Sequence, residues 1–229
     1  MSLSDRQKLI LRTIIKDYVK NAQPVASALL VERYKLDISP ATVRNEMMLL
    51  EEEAYIYQPH TSAGRVPTAA AYLLDLQNET SKKKDLKSSD RIILDRALSD
   101  SQENFKPLAR SLAELSANAV FWAFHKNDIY HTGLSNLFSQ VEFRQSEIVC
   151  DVSQVIDRME DIIDGFFDDL DDGIHVFIGE QNPFGSFLGT TVLKYRHQGV
   201  SGLVGILGPL RMDYHLNMNL LNYLQEKFK

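Results

Sequence analysis

Hydrophobic residues recur at helical spacing through the N-terminal part of the chain. Residues 4–20 carry a stripe of apolar side chains, namely Ile10, Leu11, Ile14, Ile15, Tyr18 and Val19. This spacing predicts an amphipathic helix that ends at the polar break 21–24. Residues 27–34 predict a shorter helix, and a third helix begins after Ser39. Helices joined by such short turns are typical of a helix-turn-helix.

The third helix is predicted to have two different faces. Ser39 is a good N-cap, and the proline that follows suits the first helical position. Apolar residues form the inner face: Val43, Met47, Leu50 and Ala54. The first turns of the other face carry Ala41, Thr42, Arg44 and Asn45. These offer a methyl group to thymine, a hydroxyl, and two side chains suited to bidentate recognition of guanine and adenine. The bare N–H groups of the first turn favour a phosphate.

A short strand at 55–57 and a polar loop at 58–67 follow this helix. The loop carries His60, Thr61, Ser62, Gly64 and Arg65. A helix followed by strand, loop and strand is the outline of a winged helix-turn-helix. We predict that Arg65 lies near the loop tip and enters the minor groove or grips its backbone, with Gly64 allowing close approach.

The pattern changes after residue 77. The polar segment 78–90 predicts a linker, and beyond it strands in hairpins alternate with helices. Apolar residues from Val152 to Leu170 predict one long amphipathic helix. The fold class is therefore α+β, with a DNA-binding domain over 1–77 and a second domain over 91–229, whose helices are expected on one side of the sheet.

Charge is unevenly distributed along the chain. Residues 1–100 hold 15 Lys and Arg against 14 Asp and Glu, whereas residues 101–229 hold 10 against 17. This division agrees with nucleic-acid contact by the N-terminal part alone. Because a nearly neutral domain binds DNA weakly, we expect a dimer on paired half-sites.

Other features limit the class of protein. The single cysteine excludes an intrachain disulfide, and the absence of a signal peptide or membrane-length apolar run predicts a cytoplasmic protein without membrane contact. The carboxylates within 157–172 predict a solvated helix face, not a cation site. The scattered histidines show no metal-ligand or catalytic spacing. We therefore expect no enzyme, no metal, no catalytic residue and no cofactor.

Two blocks carry a resemblance to a known family. The runs SPATVRNEM at 39–47 and QPHTSAGRVPT at 58–68 resemble the heat-inducible transcription repressor family, HrcA. The resemblance continues in shorter blocks at 133–137, 178–183 and 208–214. It implies a repressor of heat-shock (chaperone) operons that binds double-stranded DNA at an inverted-repeat operator as a homodimer. It also implies a winged helix-turn-helix, a GAF-like regulatory domain and a GroEL-type chaperonin as co-regulator.

The chain departs from the family pattern at a few positions. The dimerising segment that the family inserts into its GAF-like domain is absent between His125 and Ile129, so we expect a reduced domain and a weaker dimer. Ala54 stands where a glycine usually ends the recognition helix, and a left-handed backbone would disfavour alanine there. Met48 and Leu49 face outward and are expected to pack on the wing or on a partner chain.

A second function remains open at this stage. The protein could be a ligand-sensing winged-helix regulator of genes unrelated to heat shock. Its GAF-like pocket would be lined by Trp122, Phe124, Phe177 and Tyr195, although aromatic residues on strands more often belong to a core.

Overall fold

Ser4 starts the first helix through a reciprocal pair of hydrogen bonds. Its hydroxyl accepts from the backbone amide of Gln7, and the Gln7 side chain accepts from the amide of Ser4. Helix α1 then runs over Asp5–Asn21 and buries Ile10 and Ile14 completely. The predicted apolar stripe is therefore the face that packs inward.

The computed structural model divides into two units, Met1–Lys82 and Lys83–Lys229. The residues that it describes are 3–79, 86–100, 105–125, 128–144, 146–197 and 199–228. In the first unit, α1 is followed by α2 (Ser27–Tyr34), α3 (Pro40–Glu52), β1 (Ile56–Tyr57), β2 (Val66–Pro67) and α4 (Ala69–Glu79). Strands β1 and β2 pair antiparallel, with Tyr57 opposite Val66.

A buried carboxylate joins the first two helices. Asp17 on α1 is 4% exposed, and it forms an ion pair with Arg33 and accepts a hydrogen bond from the Tyr34 hydroxyl. The hydrogen bond to Asp17 and the negative charge of Asp17 raise the pKa of Arg33. Burial is the largest cause that raises the pKa of Tyr34, and the charge of Asp17 and the hydrogen bond to it raise that pKa further. Removing one partner would leave a buried charge uncompensated, so this contact fixes α2 against α1.

The second unit is built on a mixed set of helices and strands. In chain order these are α5 (Ser88–Ser99), α6 (Lys106–Ser116), β3 (Ala119–His125), β4 (Asp128–Thr132), α7 (Leu134–Ser139), α8 (Ser146–Asp157), α9 (Met159–Phe167), β5 (Gly173–Ile178), β6 (Leu188–His197), β7 (Val200–Pro209) and α10 (Tyr214–Phe228). The strands form one antiparallel sheet in the order β4-β3-β7-β6-β5. The expected α+β class is therefore present.

Helices cover both faces of this sheet, so the expectation of helices on one side is wrong. Side chains alternate along β3. Val120 and Trp122 pack with α5, α6 and α10, while Phe121 packs with α7, α8 and α9. Because successive residues of a strand point to opposite faces, an apolar run such as 119–124 indicates two buried faces.

Close packing in the sheet depends on glycine. Phe121 on β3 lies opposite Gly205 on β7, and a Cβ at Gly205 would fall 2.1 Å from the Phe121 ring. The ring thus fills the space that a side chain would occupy.

Two predicted boundaries are corrected. Helix α4 continues to Glu79 and α5 begins at Ser88, so both ends of the predicted linker 78–90 are helical; residues 80–85 lie outside the described part. The apolar run 152–170 forms two helices because Arg158, with φ −105° and ψ 12°, breaks the helical path between α8 and α9.

The four aromatic residues expected to line a ligand pocket do not line a common one, because three pack together and the fourth lies on the other face of the sheet. Trp122 is fully buried and donates from Nε1 to the Tyr195 hydroxyl at 2.7 Å, with Phe124 packed beside it. Phe177 packs on the opposite face of the sheet. Burial raises the pKa of Tyr195 to about 12, whereas the bond from Trp122 lowers it. These residues are core, and the pocket predicted from them is not formed.

Candidate nucleic-acid interface

The start of α3 is a capped, exposed helix terminus. The Ser39 hydroxyl accepts from the backbone amide of Thr42 at 3.1 Å and lies 2.9 Å from the Thr42 hydroxyl. Pro40 occupies the first turn, where its missing N–H costs nothing. The remaining free amides and the positive end of the helix dipole suit an anion at this terminus.

The two faces predicted for α3 are present, except that Ala54, which was predicted for the inner face, is exposed and lies beyond the end of the helix. Val43, Met47 and Leu50 are buried, so they hold the helix against the rest of the unit. On the opposite side Arg44 and Asn45 are exposed, as are Ser39 and Ala41, while Thr42 is partly exposed. The predicted recognition residues therefore lie together on the solvent side of the first turns.

The outer face becomes apolar and then acidic toward its end. Met48 is 50% exposed and Leu49 is 46% exposed. Glu51, Glu52 and Glu53 follow, and carboxylates at a helix C-terminus oppose both the dipole and a phosphate backbone. The first two turns of α3 are consequently the part best suited to contact a polyanion.

The loop between β1 and β2, residues 58–65, is held from within by one side chain. Gln58 donates from Nε2 to the carbonyl oxygens of Thr61 at 3.0 Å and Ala63 at 2.8 Å. His60, Thr61 and Ser62 are exposed, and a turn closes between the His60 carbonyl and the Ala63 amide. These exposed residues form the tip of the loop.

Arg65 and Gly64 do not lie at that tip, which corrects their predicted place. The backbone amide and carbonyl of Arg65 pair with those of Val25 at 2.9 Å each. The Arg65 side chain is 15% exposed and forms an ion pair with Glu51 at 2.9 Å. A Cβ at Gly64 would fall 2.4 Å from the Val25 backbone. Glycine is thus needed for packing against the chain itself.

Glu51 and Gln58 are the residues of this region that the sequence did not reveal. Glu51 is one of three consecutive glutamates, and nothing in its spacing separates it from the other two. Only the folded chain brings its carboxylate to the Gln58 amide and to Arg65.

Helix α3 ends in a left-handed turn at an alanine. Ala54 has φ +59°, and its amide donates to the carbonyl of Glu51 while the Tyr55 amide donates to that of Leu50. This pair of bonds is a Schellman motif, whose left-handed position favours glycine. The modest penalty expected from the sequence is therefore present in the backbone.

Replacing Ala54 by glycine is expected to stabilise the protein by about 0.5–1 kcal/mol, because relief of the left-handed strain exceeds the added entropy of the unfolded chain. Urea denaturation followed by circular dichroism measures the change. Ala70→Gly, at an exposed position within α4, serves as a control and should destabilise. Equal destabilisation by both changes would contradict the assignment.

Other candidate sites in the described part of the chain carry no comparable chemistry. No group of three or more His, Cys, Asp or Glu in the described ranges could hold a metal ion. A hollow beside α9 contains Lys194 and Arg196, but Lys194 donates to the Phe167 carbonyl and Arg196 lies 4.0 Å from Asp172. Among the described helices, none combines the length and apolar character needed to cross a bilayer.

Residues 40–218 match the family model described as HrcA protein C terminal domain. The chain belongs to the HrcA family. Its relatives include two proteins named heat-inducible transcription repressor HrcA. One, from Thermobifida fusca (strain YX), is 44% identical over 125 residues, which cover 53% of this chain and 36% of the relative. The other, from Kineococcus radiotolerans, is 59% identical over 70 residues, which cover 31% of this chain and 20% of the relative.

The matches thus span about a third or less of these HrcA relatives. A solved structure described as a hypothetical protein at 2.2 Å resolution shares the fold. It aligns with a TM-score of 0.72 over 99% of this chain and 98% of its own, at 20% identity. That likeness concerns the fold alone.

Proposed function

We propose that the protein is a sequence-specific DNA-binding repressor of heat-shock (chaperone) operons. One observation carries the proposal: Arg44 and Asn45 are exposed together on the first turns of a capped helix whose opposite face is buried. This is the arrangement by which a recognition helix presents side chains to base edges in the major groove. The names of the HrcA relatives support the repressor role.

The first unit has the parts of a winged helix-turn-helix. Helices α2 and α3 form the helix pair, β1 and β2 with their loop form the wing, and the bridge between Val25 and Arg65 adds a third short strand segment. We assign residues 1–77 to DNA binding, 78–90 to a connection shortened by its helical ends, and 91–229 to a reduced GAF-like regulatory and dimerisation domain. The antiparallel sheet of the second unit supports the last assignment.

Each proposed contact follows from its place on this surface. Ser39 and Thr42 hold a phosphate at the start of α3, while Ala41, Arg44 and Asn45 face base edges. His60, Thr61 and Ser62 at the loop tip contact the neighbouring backbone or minor groove. Two copies on an inverted repeat would match a two-fold protein, with a GroEL-type chaperonin as the proposed co-regulator.

A gel-shift experiment tests the repressor role. The probes are the upstream regions of the organism's own chaperone genes, with shuffled sequences of equal composition as controls. We expect binding to at least one upstream region to be about 10³-fold tighter than binding to the shuffled control. This ratio is the lower end of the usual range between specific and nonspecific affinity. Equal affinity for native and shuffled DNA would refute sequence-specific repression of these genes.

Dimerisation is tested by sedimentation across a concentration series, alone and with DNA. We expect a weak dimer in solution and two chains on a full operator, because linking two weak modules raises the overall affinity. Strands β3 and β4 are separated by residues 126–127 alone, which leaves no room there for the family's inserted segment. A monomer throughout, bound one-to-one to a full operator, would defeat the dimer.

A further inference from the structure

We propose that Glu51 and Arg65 form a clamp that sets the position of the wing against the recognition helix, and that Arg65 acts by positioning the wing tip and not by touching DNA. The clamp rests on the proposed DNA-binding function for its effect on affinity. Its effect on the wing itself is independent of DNA.

Glu51 uses both carboxylate oxygens. Oε2 lies 2.9 Å from Nη2 of Arg65, and Oε1 accepts from the backbone amide of Gln58 at 3.1 Å. Glu51 belongs to the last turn of α3, while Gln58 and Arg65 open and close the loop. One side chain of the recognition helix therefore holds both ends of the wing loop.

Arg65, on one side of the clamp, is anchored to the segment that leads into α2. The two hydrogen bonds between Arg65 and Val25, each 2.9 Å, leave little freedom for the Arg65 backbone. Gly64 packs so closely on Val25 that no side chain would fit between them. The backbone of Arg65 is therefore held in place, and its side chain binds the carboxylate of Glu51, which is itself bonded to Gln58.

Glu51, on the other side of the clamp, is linked to the loop tip through Gln58. The amide of Gln58 is bonded to Glu51, and its side chain donates to the carbonyls of Thr61 and Ala63. Movement of Gln58 would therefore displace the tip. These bonds form a continuous path from α3 to the residues proposed to touch DNA.

The charge balance argues against a direct contact by Arg65. Its side chain is 15% exposed, whereas an arginine that binds phosphate must present its guanidinium to the solvent side. If Arg65 left Glu51 for a phosphate, the Glu51 carboxylate would face the same polyanion without its partner, and such like-charge placement is unfavourable.

The chain offers a matched control on the same helix. Glu46 forms an ion pair with Arg6 at 3.4 Å, and the Arg6 side chain is 57% exposed. Glu46→Ala and Glu51→Ala each remove one negative charge from α3, but only the second breaks the clamp. The comparison separates wing position from a simple change of charge.

The first test uses Glu51→Ala, Arg65→Ala, the double variant and Glu46→Ala on operator DNA over a range of salt. We expect each clamp variant to lose about tenfold in affinity, the double variant to lose no more than either single one, and the slope of log affinity against log salt to stay unchanged. Glu46→Ala should bind at least as well as the parent protein.

A direct contact predicts the opposite pattern. Arg65→Ala would then reduce the salt slope by about one counterion, and Glu51→Ala would free the arginine and tighten binding. Either result, or unchanged affinity in both clamp variants, would overturn the proposal.

The second test needs no DNA. Amide hydrogen exchange of residues 58–64 reports opening of the wing. We expect exchange of the Gln58 amide to accelerate at least tenfold in Glu51→Ala and Arg65→Ala and to remain unchanged in Glu46→Ala. Unchanged protection in the clamp variants would refute the clamp even if the protein binds its operator. A parent protein that fails to bind DNA would refute only the proposed function.

Discussion

Replacing Trp122 by alanine is expected to lower the free energy of unfolding of the second unit by about 3–5 kcal/mol. Trp122 is fully buried, and its ring stacks on Phe105 with centroids 4.8 Å apart. Its indole N–H donates to the Tyr195 hydroxyl at 2.7 Å. The substitution therefore leaves both a cavity and a buried hydroxyl without its donor.

Urea denaturation followed by far-UV circular dichroism measures this loss, because Trp122 is the single tryptophan and the variant has no indole fluorescence. Trp122→Phe retains part of the packing and should lose less. Ile92→Ala changes a side chain that is 67% exposed and should stay within about 0.5 kcal/mol of the parent. A loss below 1 kcal/mol for Trp122→Ala would contradict the core assignment.

Replacing Asn45 by alanine is expected to cost about 1–3 kcal/mol of binding free energy on the cognate operator. An asparagine amide can donate to and accept from an adenine edge at once, and Asn45 is exposed on the solvent side of α3. The change removes an exposed side chain, so the stability of the protein should be almost unaffected.

Titration of fluorescent operator DNA, followed by anisotropy, measures the affinity of the Asn45 variant. The same series with each base pair of the half-site exchanged should show relaxed preference at one position. Asn78→Ala, on α4, is the matched control and should bind like the parent protein. Equal losses on operator and random DNA would exclude a role in base recognition.

Local patterns in the sequence were sufficient to predict where α3 begins and which of its faces is buried. The Ser39 cap, the proline after it and the spacing of Val43, Met47 and Leu50 act over a few neighbouring residues, so the helix start and its buried face could be predicted. The left-handed turn at Ala54 was expected from the family pattern, in which a glycine usually ends this helix. The grouping of Arg44 with Asn45 on the outer face required no tertiary information.

The helices that cover each face of the sheet in the second unit could not be predicted from the sequence. An apolar run such as 119–124 shows that both sides of a strand are covered, but not which helices cover them. The break between α8 and α9 at Arg158 could not be predicted from the sequence either. Apolar spacing continues through it, and residues of both α8 and α9 pack in the same core cluster.

The sequence by itself determined where α3 begins and which of its faces is buried, the α+β class and the family. Tertiary structure decided where Arg65 lies. A glycine–arginine pair in a polar loop is compatible with a tip or with a base, because loop residues follow no fixed period. Burial against Val25 and the charge of Glu51, which lies 14 positions earlier in the chain, place Arg65 at the base. Such long-range pairing depends on how α3 and the wing pack, and local spacing does not encode it.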